Sequence, residues 1–266
     1  MTALQILFFL AVSFCASVAG AICGIGGGVI IKPVLDLFGW ASVSTISFLS
    51  GCTVLSMTCY SVGKSISAKE NKIQLRTGTP LAIGAAVGGV AGKQMFGVME
   101  TWFADPNTIG SVQAACLALL TLGTLVYTLK KQSIRTFRMQ NPLACILIGL
   151  FLGICSSFLG IGGGPINLVV LYFFFDMDTK TAAANSLYII LFSQVTSLFS
   201  TLLTHSVPAF DPVCLVFMVL GGILGGMAGR RVNQKLDNRA VEKLFVGLMG
   251  VIILISVYNI YQYAAV

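Results

Sequence analysis

Apolar stretches long enough to cross a bilayer recur along the whole of this 266-residue chain, and no polar block between them is large enough to fold alone. A hydrocarbon core of about 30 Å asks for about 20 predominantly apolar residues in helical form. The clearest candidates are residues 4–23, 80–98, 112–129, 142–159, 182–203, 213–228 and 244–261. Charged residues make up 9% of the chain and hydrophobic residues 56%, whereas a soluble domain of this size carries roughly a quarter of its residues charged. Its main solvent must therefore be lipid. The expected fold is an all-α, multi-pass integral membrane protein.

The first apolar stretch reads as a span and not as a secretory signal. It has no basic n-region, and its apolar run continues into a glycine cluster that recurs later. The net charge of +7 does not point to nucleic acid, because the basic residues sit in short loops between apolar spans and act there as topology signals. The eight cysteines show no CxxC or Cys/His spacing. All lie in or beside apolar spans, which suits buried free thiols. Neither a metal nor a cofactor is called for.

The chain repeats itself. Gly24-Ile25-Gly26-Gly27-Gly28 returns as Gly160-Ile161-Gly162-Gly163-Gly164, 136 residues on. A second glycine block, Gly84/Gly88/Gly92, returns as Gly221/Gly225/Gly229, 137 residues on. Internal repeats of this kind mark many secondary transporters. Thirteen of the sixteen Lys/Arg fall into three clusters, Lys64/Lys69/Lys72/Arg76, Lys130/Lys131/Arg135/Arg138 and Arg230/Arg231/Lys235/Arg239/Lys243. The loops holding Lys93/Glu100/Asp105 and His205/Asp211 are neutral or acidic. Basic loops stay cytoplasmic, so the clusters face in. Each basic loop of one half then corresponds to a basic-poor loop of the other, which predicts inverted halves.

That assignment leaves residues 141–175 entering and returning on one face. At about 1.5 Å per residue the stretch suits a helical hairpin with a short second arm, bent at 160–164. Residues 3–39 form the matching hairpin, bent at 24–28. Each half is expected to be one glycine-bent hairpin plus three transmembrane helices: residues 1–130 the first inverted repeat, 131–140 a basic cytoplasmic linker, 141–266 the second. Both termini are expected on the extracytoplasmic side of the cell (inner or plasma) membrane.

A glycine run inside apolar sequence frees backbone polar groups that lipid cannot satisfy, so each bend must be buried in protein or line a wet cavity. The second arms start just after the bends, at Val29 and Pro165, and proline suits a first helical turn. Each bend thus offers amides at a helix N-terminus, suited to an anion. Gly26, Gly27, Gly28, Gly162, Gly163 and Gly164 are the candidate substrate-binding residues. Ser50, Asn185 and Ser186, on the spans that follow the hairpins, are candidates to complete the site. Packing alone is the competing account of the bends. Close helix packing is the expected role of the second glycine block. Lys32 and Asp36, four apart on the short arm, are expected to pair near the surface.

These residues resemble the sulfite exporter TauE/SafE family. The likeness rests on the paired 24–28 and 160–164 motifs, the DTKTAAANSL stretch at 178–187 and the 225–231 segment, and it covers essentially the full chain. The resemblance implies a bacterial-type inner-membrane permease for sulfite, sulfoacetate or related sulfur-containing anions, usually in the export direction. The expected partners are a small anionic substrate and the lipid bilayer, with no nucleic acid; proton or ion coupling stays an open alternative. Val29 where the second half has Pro165, and Leu49 where it has Asn185, depart from equal halves. Two other readings stand beside the carrier. One is an anion channel, since half-helices also build pores. The other is an intramembrane enzyme, which would need a nucleophile and base, a metal set or paired carboxylates. The single histidine, His205, lies in a predicted outer loop, and no HExxH is present.

Overall fold

The long helices begin where the sequence supplies caps. Thr2 and Gln5 form a capping box at the first. Ser42, Asn141, Asp178 and Asp211 each accept from a backbone amide of the turn they precede. Proline follows the cap at Pro142 and Pro212. The computed structural model describes residues 2–68, 72–102, 106–161 and 163–264. Gly162, Lys69 and Asp105, and the side chain of Glu100, lie outside the described residues.

Those residues form ten α-helices and no strand. They are α1 (Ala3–Cys23), α2 (Gly28–Phe38), α3 (Val43–Ser67), α4 (Leu75–Trp102), α5 (Pro106–Lys130), α6 (Pro142–Phe158), α7 (Pro165–Phe175), α8 (Thr179–Leu203), α9 (Pro212–Lys235) and α10 (Asn238–Ala264). Seven of these, α1, α3, α4, α5, α8, α9 and α10, are long and apolar enough to cross a membrane. The helices break at both glycine clusters. α2 and α7 have 11 residues each, a rise of about 16 Å, or half a bilayer core. Large apolar side chains such as Leu7, Leu119, Phe199 and Leu254 cover the exterior. All eight cysteines are free; Cys23, Cys145 and Cys214 are buried, but Cys15 and Cys59 lie on the apolar exterior and not in the core.

Packing crosses between the halves. α1 lies against α9 and α6 against α4; α3 packs on α9 and α8 on α4; α2 meets α10 and α7 meets α5. Each of these six contacts has its counterpart five helices on. The second glycine block makes the closest of them. A Cβ on Gly84, Gly88 or Gly92 would run into the carbonyls of Ile146, Leu150 and Ile154. On Gly221, Gly225 and Gly229 it would meet those of Leu10, Phe14 and Val18. Glycine lets these backbones touch, the expected packing role. Gly88→Val should therefore cost roughly 1–3 kcal/mol of overpacking or more and deplete monodisperse protein on size exclusion. Gly97→Ala, with nothing within 4 Å of the added methyl, should leave the elution profile unchanged.

Described members of the three basic clusters meet at one end of the molecule. Lys131 pairs with Glu242 at 2.5 Å, and Lys72 and Arg230 line one cavity. The 131–140 segment is tied down beside α7: Phe137 and Met139 donate to the carbonyls of Phe173 and Phe174, and Arg138 pairs with Asp176 at 2.8 Å. Hydrogen bonds from Thr136 and then Arg138 hold the Asp176 carboxyl below its ordinary range. At the opposite end Thr45, in the first turn of α3, donates to the carbonyl of Ala209 at 3.0 Å, just past α8. α3 thus starts where α8 ends and ends where α8 starts.

Candidate functional site

The two breaks meet each other. α1 ends on Gly24 at φ 78°, whose N–H bonds the carbonyl of Gly20, and α6 gives way to Gly160 at φ 64°. Both are left-handed positions that favour glycine. Gly26 at φ 70° and Gly163 at φ 129° complete the reversals. No side chain caps α2 at Gly27 or α7 at Gly164. Gly28 opens α2 directly against the carbonyl of Ile161, so close that a Cβ there would overlap it. The flanks match as well. Gly24 abuts Ala183 of α8, and Gly160 abuts Ser47 of α3, the residue 136 positions earlier.

Ser50 and Ser186 occupy matched positions on α3 and α8. Both are 0% exposed, and neither hydroxyl has a hydrogen-bond partner among the described residues. Ser50 Oγ lies 2.9 Å from the Cβ that Gly28 lacks. Ser13, Ser17, Ser61 and Ser193 share this unpartnered, buried state, so burial alone does not set the two hydroxyls apart. Asn185 is different. Its amide donates to the carbonyls of Lys72 and Thr181 at 2.9 and 2.8 Å and accepts from the Gln74 amide at 3.0 Å. It pins the entry to α4 onto α8. Of the predicted residues, the structure thus brings Gly28 and Ser50 together against the second break. Gly27 packs on Ser17 and Ala16, Gly163 packs on Ile190, and Gly164 approaches Ile161.

None of four cavities among the described residues is lined by both breaks, and at Gly28 and Ile161 the two breaks are in direct contact. Two cavities flank the contact instead. The first, of about 40 Å³ and open on one side, is lined by Ser47, Gly51, Lys93, Ser157, Gly160, Gln194, Ser197 and Thr201, among others. The second, also of about 40 Å³, lies at the basic end and includes Ala21, Ser61, Ser65, Lys72, Lys180, Ala183, Leu187 and Arg230. The offsets that relate the glycine motifs relate the linings too. Ser61 answers Ser197, Ser65 answers Thr201, Ala183 answers Ser47, and Arg230 answers Lys93. Each cavity thus has hydroxyls and at least one cation, and in the first Lys93 Nζ sits 5.3 Å over the Phe96 ring. A small oxyanion would find charge and hydrogen-bond donors in either.

Sequence reasoning used Lys93 and Arg230 only to orient loops. The signal it passed over is that they follow Gly92 and Gly229 directly and stand one repeat apart. Lys32 and Asp36 form the expected pair, at 2.6 Å, but their side chains are only 4% and 7% exposed. They lie inside the protein and not at its surface.

The family model described as "Sulfite exporter TauE/SafE" matches residues 9–256. A protein of Bacillus subtilis (strain 168) named "Probable membrane transporter protein YunE" is 26% identical over 93% of this chain and 94% of its own length. A Magnetospirillum gryphiswaldense protein named "Probable membrane transporter protein MamO" is 23% identical over 89% of this chain and 42% of its own length. No solved structure matches the chain. The model spans nearly the whole sequence, so this multi-pass membrane protein belongs to the sulfite exporter TauE/SafE family of membrane transporters.

Proposed function

We propose that the protein is a carrier for a small oxyanion, of the sulfur-containing kind in the family's description, working by alternating access between two inverted halves. The observation that carries this reading is the pair of repeat-related, cation-bearing cavities at opposite ends, separated by two glycine breaks in direct contact. A carrier needs two vestibules and a barrier that closes one while the other is open. Antiparallel α3 and α8, and contacts that recur five helices on, support the inversion. In this reading residues 1–130 and 141–266 are the repeats, 131–140 is the cytoplasmic linker, and both termini face outside.

The anion passes between the breaks and meets the amides of Gly26–Gly28 and Gly162–Gly164 with the hydroxyls of Ser50 and Ser186; Asn185 holds α8 against α4. Amide dipoles and hydroxyls can hold an oxyanion weakly enough to release it. The closed contact at Gly28 favours a carrier over an open pore. These dipoles suit any small oxyanion, so the sulfur chemistry rests on the family alone. Proteoliposomes loaded in turn with sulfite, sulfoacetate, taurine and acetate provide the test. Sulfite or sulfoacetate should leave faster than from empty liposomes, with saturation and counterflow. Efflux that rises linearly without counterflow would make it a channel, and no efflux from demonstrably folded protein would overturn the transport reading.

A further inference from the structure

The pair Lys32–Asp36 is the one charged pair set within a half-helix of the membrane interior, and the fold does not demand it. The positions one repeat on are Leu168 and Tyr172, both buried and neutral. A buried ion pair gains little stability over apolar packing, and intramembrane charges tend to be functional. We propose that Asp36 is the proton-binding site of the carrier, and that its protonation releases the Lys32 ammonium to balance an anion in the Lys93 cavity.

Three placements carry this assignment, which rests on the carrier reading above. Asp36 uses Oδ2 for Lys32, while its Oδ1 has no partner among the described residues. It opens on a small cavity shared with Gln113, Ser256 and Asn259. Gln113 Oε1, Ser256 Oγ and Asn259 Oδ1 are likewise buried and unpartnered. The Gln113 and Asn259 amides are already spent on the carbonyls of Phe158 and Pro33. Three of the four oxygens can only accept. Ser256 offers one hydroxyl donor among them, and a protonated carboxyl at Asp36 supplies a second.

The pair also stands one layer from the first cavity. A methyl on Gly160, which lines that cavity, would come within 3.5 Å of Lys32 Cε, and Gln113 lines both spaces. Charges facing the pair are few. α10 brings Tyr263, whose hydroxyl lies within electrostatic reach of Asp36. α1 carries no charged residue, its titratable groups being the thiols Cys15 and Cys23. α3 carries Cys52, Cys59 and Tyr60, with Lys64 at the helix end away from α2.

In the resting pair the two charges cancel. A proton taken from the aqueous face converts the Asp36 carboxylate to the acid, leaves Lys32 as a net positive charge, and strengthens anion binding. The anion strengthens proton binding by the same factor. Both leave together on the other side, and Lys32 returns to the carboxylate. Transport is then electroneutral for a monovalent anion, and export runs when the anion has accumulated inside by more than the opposing pH gradient.

Proteoliposomes bearing the full chain, with a pH dye inside and methanesulfonate as the probe because it is a fully ionised monovalent anion at pH 7, read this directly. Wild type should move about one proton with each anion, and its affinity for methanesulfonate should fall as pH rises. Asp36→Asn should keep counterflow, lose the accompanying proton, and become responsive to an imposed membrane potential. Should that variant fail to fold, Lys32→Leu with Asp36→Tyr copies the second half's neutral residues and should be well folded and proton-independent. Anion flux in wild type without proton movement, or proton movement persisting in either variant, overturns the assignment while leaving the carrier intact. No flux of any anion overturns the carrier reading and this one with it.

Discussion

Gly28→Ala should strongly slow anion movement while the protein still reaches the membrane. Gly28 is the first residue of α2 and has no positive φ, so alanine brings no backbone strain there. What it brings is a methyl group in the space of the Ile161 carbonyl, with Ser50 Oγ 2.9 Å away on another side. Neither backbone can yield without parting the two breaks. Overpacking of this kind costs about 1–3 kcal/mol, which a protein of ten interlocked helices can survive. The contact that separates the cavities cannot. Efflux of sulfite should fall at least about tenfold, as 1.4 kcal/mol in the barrier already implies. Gly250→Ala, whose methyl meets nothing within 4 Å, should transport normally. Thermal unfolding followed by tryptophan or thiol-reactive fluorescence separates loss of function from loss of fold. Unchanged efflux from a folded Gly28→Ala protein would mean that the contact is not part of the transport cycle.

The helix breaks were legible because glycine runs inside apolar sequence have few other uses, and the spans because hydropathy and charge clusters mark membrane segments strongly. The caps at Asn141, Asp178 and Asp211 were not read from the sequence and came with the structure. The partners of each helix were not legible. A helix apolar all round, such as α1 or α10, has no amphipathic stripe to say which face meets protein and which meets lipid, so α1 against α9 and α6 against α4 came only from the structure. The glycine stripes at 84–92 and 221–229 announced close packing without naming what they touch. The site was half legible for a related reason. The repeat offset singled out Ser50 and Ser186, and both prove buried without partners. It could not foresee that the Asn185 amide is committed to Lys72, Gln74 and Thr181. Nor does spacing alone tell that Lys32 and Asp36 turn toward protein and not toward the surface, since an 11-residue half-helix has neighbours on every side.

Lys93→Gln and Arg230→Gln should each weaken anion uptake from one face only, and from opposite faces. The two residues stand one repeat apart at half-buried positions, one in each cavity. A unit charge about 6 Å from an anion is worth roughly 3 kcal/mol at an effective dielectric of 20, and salt screening in an open vestibule reduces that substantially. A rise in the half-saturation concentration on the order of tenfold is therefore expected for the face that loses its cation, with the limiting rate nearly unchanged. Arg230 shares its cavity with Lys72 and Lys180, so its loss should be the milder of the two. Lys93→Arg, which keeps the charge, should restore most of the affinity and so exclude a merely structural effect. Right-side-out and inside-out vesicles from the same preparation give the two half-saturation constants. Inverted halves require the Lys93 effect on the extracytoplasmic face, because the cavity it lines is the one away from the basic loops. If both substitutions act on the same face, or equally on both, the two cavities are not the alternating vestibules of one pathway, and the halves are not inverted.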